Sequence, residues 1–241
     1  MSRRTIAIAA ALSVFALGSP LMTGCTNPLA TNSYDSAMEK YEQGDYQGAI
    51  DDFNKSIEIN PNNSGAYYNR GNAKRLSRDY QGAITDYTAA LEIEPQFALA
   101  FNNSGAAKML LKDYQGAISD YGKAIEIYPD SAYYKNRGVA KMLLKDYQGA
   151  FADYDKAMKL DPQDAGNYYN LGVVKMQLKD YQGAIADYSK AIQLDPQDSA
   201  AYINRGNAKE SIGDRQGACD DMKKSVDLGD ELSAEWVKNQ C

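Results

Sequence analysis

The hexapeptide DYQGAI begins at Asp45 and is written again at Asp79, Asp113 and Asp180, with near copies at Asp146 (DYQGAF) and Asp214 (DRQGAC). Successive starts are 34, 34, 33, 34 and 34 residues apart. A period held that closely excludes one central core for the 241-residue chain. Each repeat must bury its apolar surface against its neighbours, so the core is stacked along the chain.

Residues 64–97 show what one repeat contains. Its first half, Ala66 to Ser77, carries Tyr67, Gly71, Ala73 and Leu76 among helix-tolerant residues. The second half holds Tyr80, Ala83, Ile84, Tyr87, Ala90, Leu91 and Ile93 at the i, i+3, i+4, i+7 spacing of an amphipathic helix. Asp79 stands where a short polar side chain caps that helix. Pro95 ends it, since proline cannot continue a helix and biases the preceding residue towards extended backbone. Each unit reads as helix, tight turn, helix, and the fold class is all-α.

Two small residues recur as pairs: Gly71/Ala83, Gly105/Ala117, Gly138/Ala150, Gly172/Ala184 and Gly206/Ala218. Glycine inside a helix costs about 1 kcal/mol relative to alanine. Its repeated acceptance implies close approach between paired helices.

The period, the aromatic four before each glycine (Tyr67, Phe101, Tyr134, Tyr168, Tyr202) and the sets Ala83, Tyr87, Ala90, Pro95 and Ala184, Tyr188, Ala191, Pro196 resemble the tetratricopeptide repeat. The resemblance covers about residues 30–230 as six units. It implies a right-handed α-solenoid over 34–230, with atypical first and last units, and the segment 231–241 reads as a capping helix. Ala37 and Ser33 replace the glycine and the aromatic in the first unit, and Leu228–Asp230 ends the sixth without proline. The fourth unit has lost one residue between Pro129 and Tyr134, a loss expected to fall in a loop and spare the hairpin. Cations stand where the family is often apolar or aromatic: Arg70, Arg137 and Arg205, and Lys74, Lys108, Lys141, Lys175 and Lys209. Acids recur at Asp52, Asp86, Asp120, Asp153, Asp187 and Asp221, and are expected to pair with those cations between helices.

Charge and composition narrow the chemistry. Lys+Arg number 26 against 32 Asp+Glu, a net charge of −6, and no basic stripe is present, so no nucleic-acid partner is expected. The chain has no histidine and only three scattered cysteines, which argues against a metal site or another cofactor. The acids follow the repeat, as a helical scaffold requires, and form no catalytic constellation. Neither catalysis nor a small-molecule substrate is expected.

The N-terminus reads as an address. Arg3 and Arg4 precede the apolar run Ile6–Leu17, 12 residues that are too few to span a bilayer. That order is a secretory signal over 1–24, with an uncleaved membrane anchor as the alternative. Leu21-Met-Thr-Gly-Cys25 resembles a bacterial lipoprotein signal, apart from Met22, where leucine is commoner. This implies lipid on Cys25, a polar tether over 25–33, and a solenoid held at the bilayer without crossing it. Ordinary signal cleavage is the alternative. Thr26, rather than Asp, then implies the outer membrane, facing the periplasm, in a host that has one.

In tetratricopeptide proteins the first helices line the concave surface. Asn69, Asn103, Asn136, Asn170 and Asn204, two before each glycine, would form a ladder there. An amide offers a donor and an acceptor, so the ladder could grip the backbone of an extended peptide; the alternative is that it only ties helices together. Tyr68, Asn72 and Arg75 lie around it in the second unit, Lys135, Val139 and Met142 in the fourth, and Tyr169, Val173 and Met176 in the fifth. The repeated basic clamp with which chaperone-docking repeats hold an acidic C-terminal tail is missing. At the C-terminus, Cys219 and Cys241 lie about 10 and 12 residues either side of a turn at Gly229. On antiparallel helices rising about 1.5 Å per residue they are level, so an oxidising compartment would allow a disulfide; two free thiols are the alternative.

The expected function is a membrane-anchored scaffold that holds a protein or extended peptide in its groove. The alternative is a structural component of an envelope machine, acting in outer-membrane, pilus or cell-wall assembly through other surfaces.

Overall fold

A computed structural model describes residues 28–241, so the expected signal over 1–24 and the expected lipid site at Cys25 lie outside the described residues. The first helices of the six hairpins are α1 (Pro28–Glu42), α3 (Ser64–Leu76), α5 (Ala98–Leu110), α7 (Ser131–Leu143), α9 (Ala165–Gln177) and α11 (Ser199–Ser211). Their partners are α2 (Tyr46–Ile59), α4 (Tyr80–Ile93), α6 (Tyr114–Ile127), α8 (Tyr147–Leu160), α10 (Tyr181–Leu194) and α12 (Arg215–Asp227). A last helix, α13 (Glu231–Gln240), packs on α12. Each helix packs on the next in the chain, which gives the expected α-solenoid of six hairpins and a cap.

The repeated hexapeptide builds the start of each second helix. Asp45, Asp79, Asp113, Asp146, Asp180 and Asp214 each accept a bond from the glycine N–H three residues on, at 2.9–3.0 Å. The carboxylate lies over that glycine so closely that a Cβ on Gly82 would stand 2.1 Å from it. Aspartate and glycine in DYQG are therefore one device. The turn before it closes through a left-handed residue, Gly44 and Gly213 in the end units and Arg78, Lys112, Lys145 and Lys179 in the inner ones.

The other recurrent glycines accommodate an aromatic ring. A Cβ on Gly105 would meet the Tyr121 ring at 2.8 Å, and Gly71, Gly138 and Gly172 stand likewise against Tyr87, Tyr154 and Tyr188. Burial pushes these four phenols far above their usual range, so they stay neutral. The first unit solves the same problem with Ala37 and Phe53, and the last with Gly206 and Met222.

The cations and acids pair within each hairpin as the sequence suggests. Asp86 is held by Arg70 (2.6 Å) and Lys74 (2.9 Å), Asp153 by Arg137 and Lys141 (both 2.7 Å), and Asp221 by Arg205 (2.5 Å) and Lys209 (2.9 Å). Each arginine also lies over an aromatic ring one turn back, Tyr67, Tyr134 or Tyr202, at 5.3–5.6 Å. Where the arginine is absent, Ser36 and Ser104 donate to Asp52 and Asp120. The fifth unit has Leu171 at that place, which leaves Asp187 with Lys175 alone.

One sequence expectation holds as stated and another needs refinement. The missing residue of the fourth unit does fall in the loop between α6 and α7, and the α7–α8 hairpin is intact. The tether expected over 25–33 does not extend past residue 27, because residues 28–33 are helical. Proline is tolerated in the first helical turn, where its missing N–H would be unpaired anyway. Ala30 is only 6 % exposed, and its carbonyl accepts from Ser56 Oγ at 3.1 Å. At the other end, Cys219 and Cys241 are joined as a disulfide, with Cα atoms 5.7 Å apart.

Candidate functional site

The first helices touch their successors across whole units, α3 with α5, α5 with α7 and α9 with α11. That side of the stack is therefore the inner one, and every groove residue singled out in the sequence lies on a first helix.

The asparagine ladder is present, but its amides are largely committed. Asn69 donates to Tyr34 Oη (2.7 Å), Asn103 to Tyr68 Oη (3.0 Å) and Asn72 Oδ1 (2.9 Å), Asn136 to Asn102 Oδ1 (3.0 Å) and Asn204 to Tyr169 Oη (2.8 Å). Each bond reaches back 34 or 35 residues to the preceding first helix, apart from the Asn72 branch at 31, so the ladder ties neighbours together. Asn72 is buried and its oxygen already accepts from Tyr87 as well, so it offers nothing to a ligand. Tyr68 packs on Phe97 at 4.7 Å between ring centroids.

One rung differs. The residue 35 before Asn170 is Lys135, whose ammonium turns to Asp164 at 2.5 Å instead. Asn170 makes no side-chain hydrogen bond among the described residues and is half-buried on the inner face. Sequence reasoning missed Tyr34, Asn102 and Asp164 as partners. A 35-residue offset between tyrosine and asparagine was the signal that could have found Tyr34.

About one turn beyond the glycines runs a second row, four residues after each glycine or its alanine substitute: Tyr41, Arg75, Met109, Met142, Met176 and Glu210. The first five are half-buried and Glu210 is exposed. Three flexible thioethers in sequence make an adaptable apolar strip. Where α5 and α7 end, Leu110, Leu111, Leu143 and Leu144 are 40–46 % exposed at the helix-turn edge. Among the described residues no histidine, cysteine or acid cluster could hold a metal ion, and no helix is long and apolar enough to cross a membrane.

Comparison with known proteins gives a consistent result. Family models described as tetratricopeptide repeat match residues 64–97, 98–131 and 167–198, and one described as TPR repeat matches 37–74 and 138–179. Together they run over 37–131 and 138–198, well over half of the chain. No curated protein matches the chain. Among solved structures, YrrB, described as a TPR protein with an unusual peptide-binding site, is 21% identical, with 78% of this chain and 97% of YrrB covered and a TM-score of 0.67. MamA is 27% identical, with 68% of this chain and 96% of MamA covered and a TM-score of 0.64. PilW, described as a widely conserved type IV pilus biogenesis factor, is 18% identical, with 88% of this chain and 99% of PilW covered and a TM-score of 0.73. With its hairpins, its capped turns and these matches alike in kind, the chain belongs to the tetratricopeptide-repeat family.

Proposed function

We propose that the protein is an exported, lipid-anchored scaffold that holds an extended segment of a partner protein along its concave face. The observation that carries this reading is the inner row Arg75, Met109, Met142 and Met176, half-buried and continuous over four units. A packed interior would not leave such a strip partly open, and extended chains with alternating apolar side chains fit it. The unbonded amide of Asn170 adds a place where peptide backbone could be held. YrrB, whose fold is shared, is described as having a peptide-binding site.

The ladder itself is a poor probe, since removing Asn103 or Asn136 would also loosen the stack. Met109→Glu combined with Asn170→Ala leaves those bonds untouched. Co-purification from the native membrane is expected to lose the partner with this variant, at unchanged helical content by circular dichroism. A partner retained at wild-type yield would overturn the groove reading.

A second reading has its own observation. The leucines exposed at the helix-turn edge would suit a component that assembles into an envelope machine through that edge. Leu111→Glu with Leu144→Glu would then abolish a stable complex that Met109→Glu leaves intact.

A further inference from the structure

We infer that the groove selects a peptide carboxylate, anchored on Arg75, with apolar side chains following along Met109, Met142 and Met176. This rests on the groove reading and adds a chemistry and a polarity to it.

The argument begins with how this chain treats its cations. Arg70, Arg137 and Arg205 each hold a buried aspartate, and the lysine one turn on in every hairpin does the same. Arg75 makes no ion pair among the described residues, and its Nε–H is buried without an acceptor. The surroundings are phenolic. Its charge is felt by the hydroxyls of Tyr41, Tyr68, Tyr87 and Tyr121, which come from α1, α3, α4 and α6. Arg75 therefore sits where the first three units meet on the inner face. These tyrosines are raised above their usual range, burial being the largest cause for each, so none supplies a counter-charge at neutral pH.

The Tyr87 hydroxyl donates to Asn72 at 2.7 Å and takes a bond from the Arg75 guanidinium, a neutral partner that leaves the cation's charge unpaired and its Nε–H without an acceptor. An unmatched donor in a half-dry place costs free energy, and a carboxylate matches the guanidinium fork with two parallel charge-assisted bonds. The equivalent residues of the next three units are methionines, so hairpin packing has no need of a cation here. At the far end of the same row Glu210 would repel an acid, which sets the direction in which the peptide lies. The overall negative charge disfavours polyanions, leaving one placed carboxylate as the fitting ligand group.

The test uses fluorescent probes of about ten residues, alternating leucine and serine, with blocked ends. They carry glutamate, glutamine or lysine at one terminal position, and a fourth has glutamine with a free C-terminal carboxylate. Binding to the full chain is followed by anisotropy. The glutamate probe or the free-carboxylate probe is expected to bind at least about tenfold tighter than the blocked glutamine probe, and the comparison of the two distinguishes a side chain from a chain end. Arg75→Met, which copies the residue of units three to five and so preserves the hairpin, is expected to erase that preference while apolar binding remains. Equal binding of all four probes, or a preference that survives Arg75→Met, would overturn the inference alone. Failure of every probe to bind would overturn the peptide-groove reading with it.

Discussion

Six aspartates occupy equivalent buried or half-buried places, and their environments separate them. Burial raises Asp187 above the usual carboxylate range, with Lys175 opposing, because Leu171 takes the place of a second partner. Bonds from Lys40 first, then Lys55 and Ser36, hold Asp52 well below that range. The signs differ accordingly. Asp52 contributes stability at neutral pH that disappears as pH falls through its depressed folded value, whereas ionised Asp187 costs stability at neutral pH, a cost relieved as pH falls through its raised folded value towards the ordinary carboxylate range. Substitution should expose the same contrast. Asp153→Asn strands Arg137 and Lys141 and is expected to cost about 3 kcal/mol, at the low end for a buried pair because both cations keep some water contact. Asp187→Asn strands one lysine instead of two cations and removes a carboxylate that burial already disfavours, so it should cost no more than about 1 kcal/mol. Urea denaturation of the two variants at pH 7 checks the order, and equal losses would refute it.

At the scale of the helix, the disulfide decides how the stack ends. Helix α13 brings ten residues, of which Ser233 is the buried one, while Leu232 is 87 % exposed. So small a buried surface holds a cap weakly, and the Cys219–Cys241 bond closes a loop that the unfolded chain would otherwise sample freely. Cys241→Ser is expected to cost about 2–4 kcal/mol in the last hairpin. Hydrogen exchange should show α12 and α13 opening faster with α5–α8 unchanged, since solenoid units feel only their neighbours. Hairpins, caps, ion pairs and the level meeting of the two cysteines were legible in the sequence because each follows from helical period and short-range spacing. Three features were hidden for physical reasons. The start of α1 was obscured because Pro28 serves a first turn as readily as a tether. The ring lying on Gly71, Gly105, Gly138 and Gly172 comes from tertiary packing that composition leaves open. The spent amides of Asn69, Asn103 and Asn204 depend on tyrosines a full unit away, which only the stacked geometry brings within 3.0 Å.

For the whole molecule, the proposed anchor makes location separable from fold. Cys25→Ser removes the thiol that a lipid would need and touches none of the six hairpins. The variant is expected to leave the membrane fraction for the soluble one with its helical content unchanged, and continued sedimentation with membranes would sink the lipid proposal. The early start of α1 then acquires a geometric meaning. Only two residues lie between Cys25 and Pro28, a leash of at most about 10 Å when fully drawn out. That is about the thickness of a single helix. A lipid there would pin the border where the first helices begin, and the leucines at the opposite border would face the open compartment. Partners would then meet a molecule of fixed compass bearing, searching a plane rather than a volume.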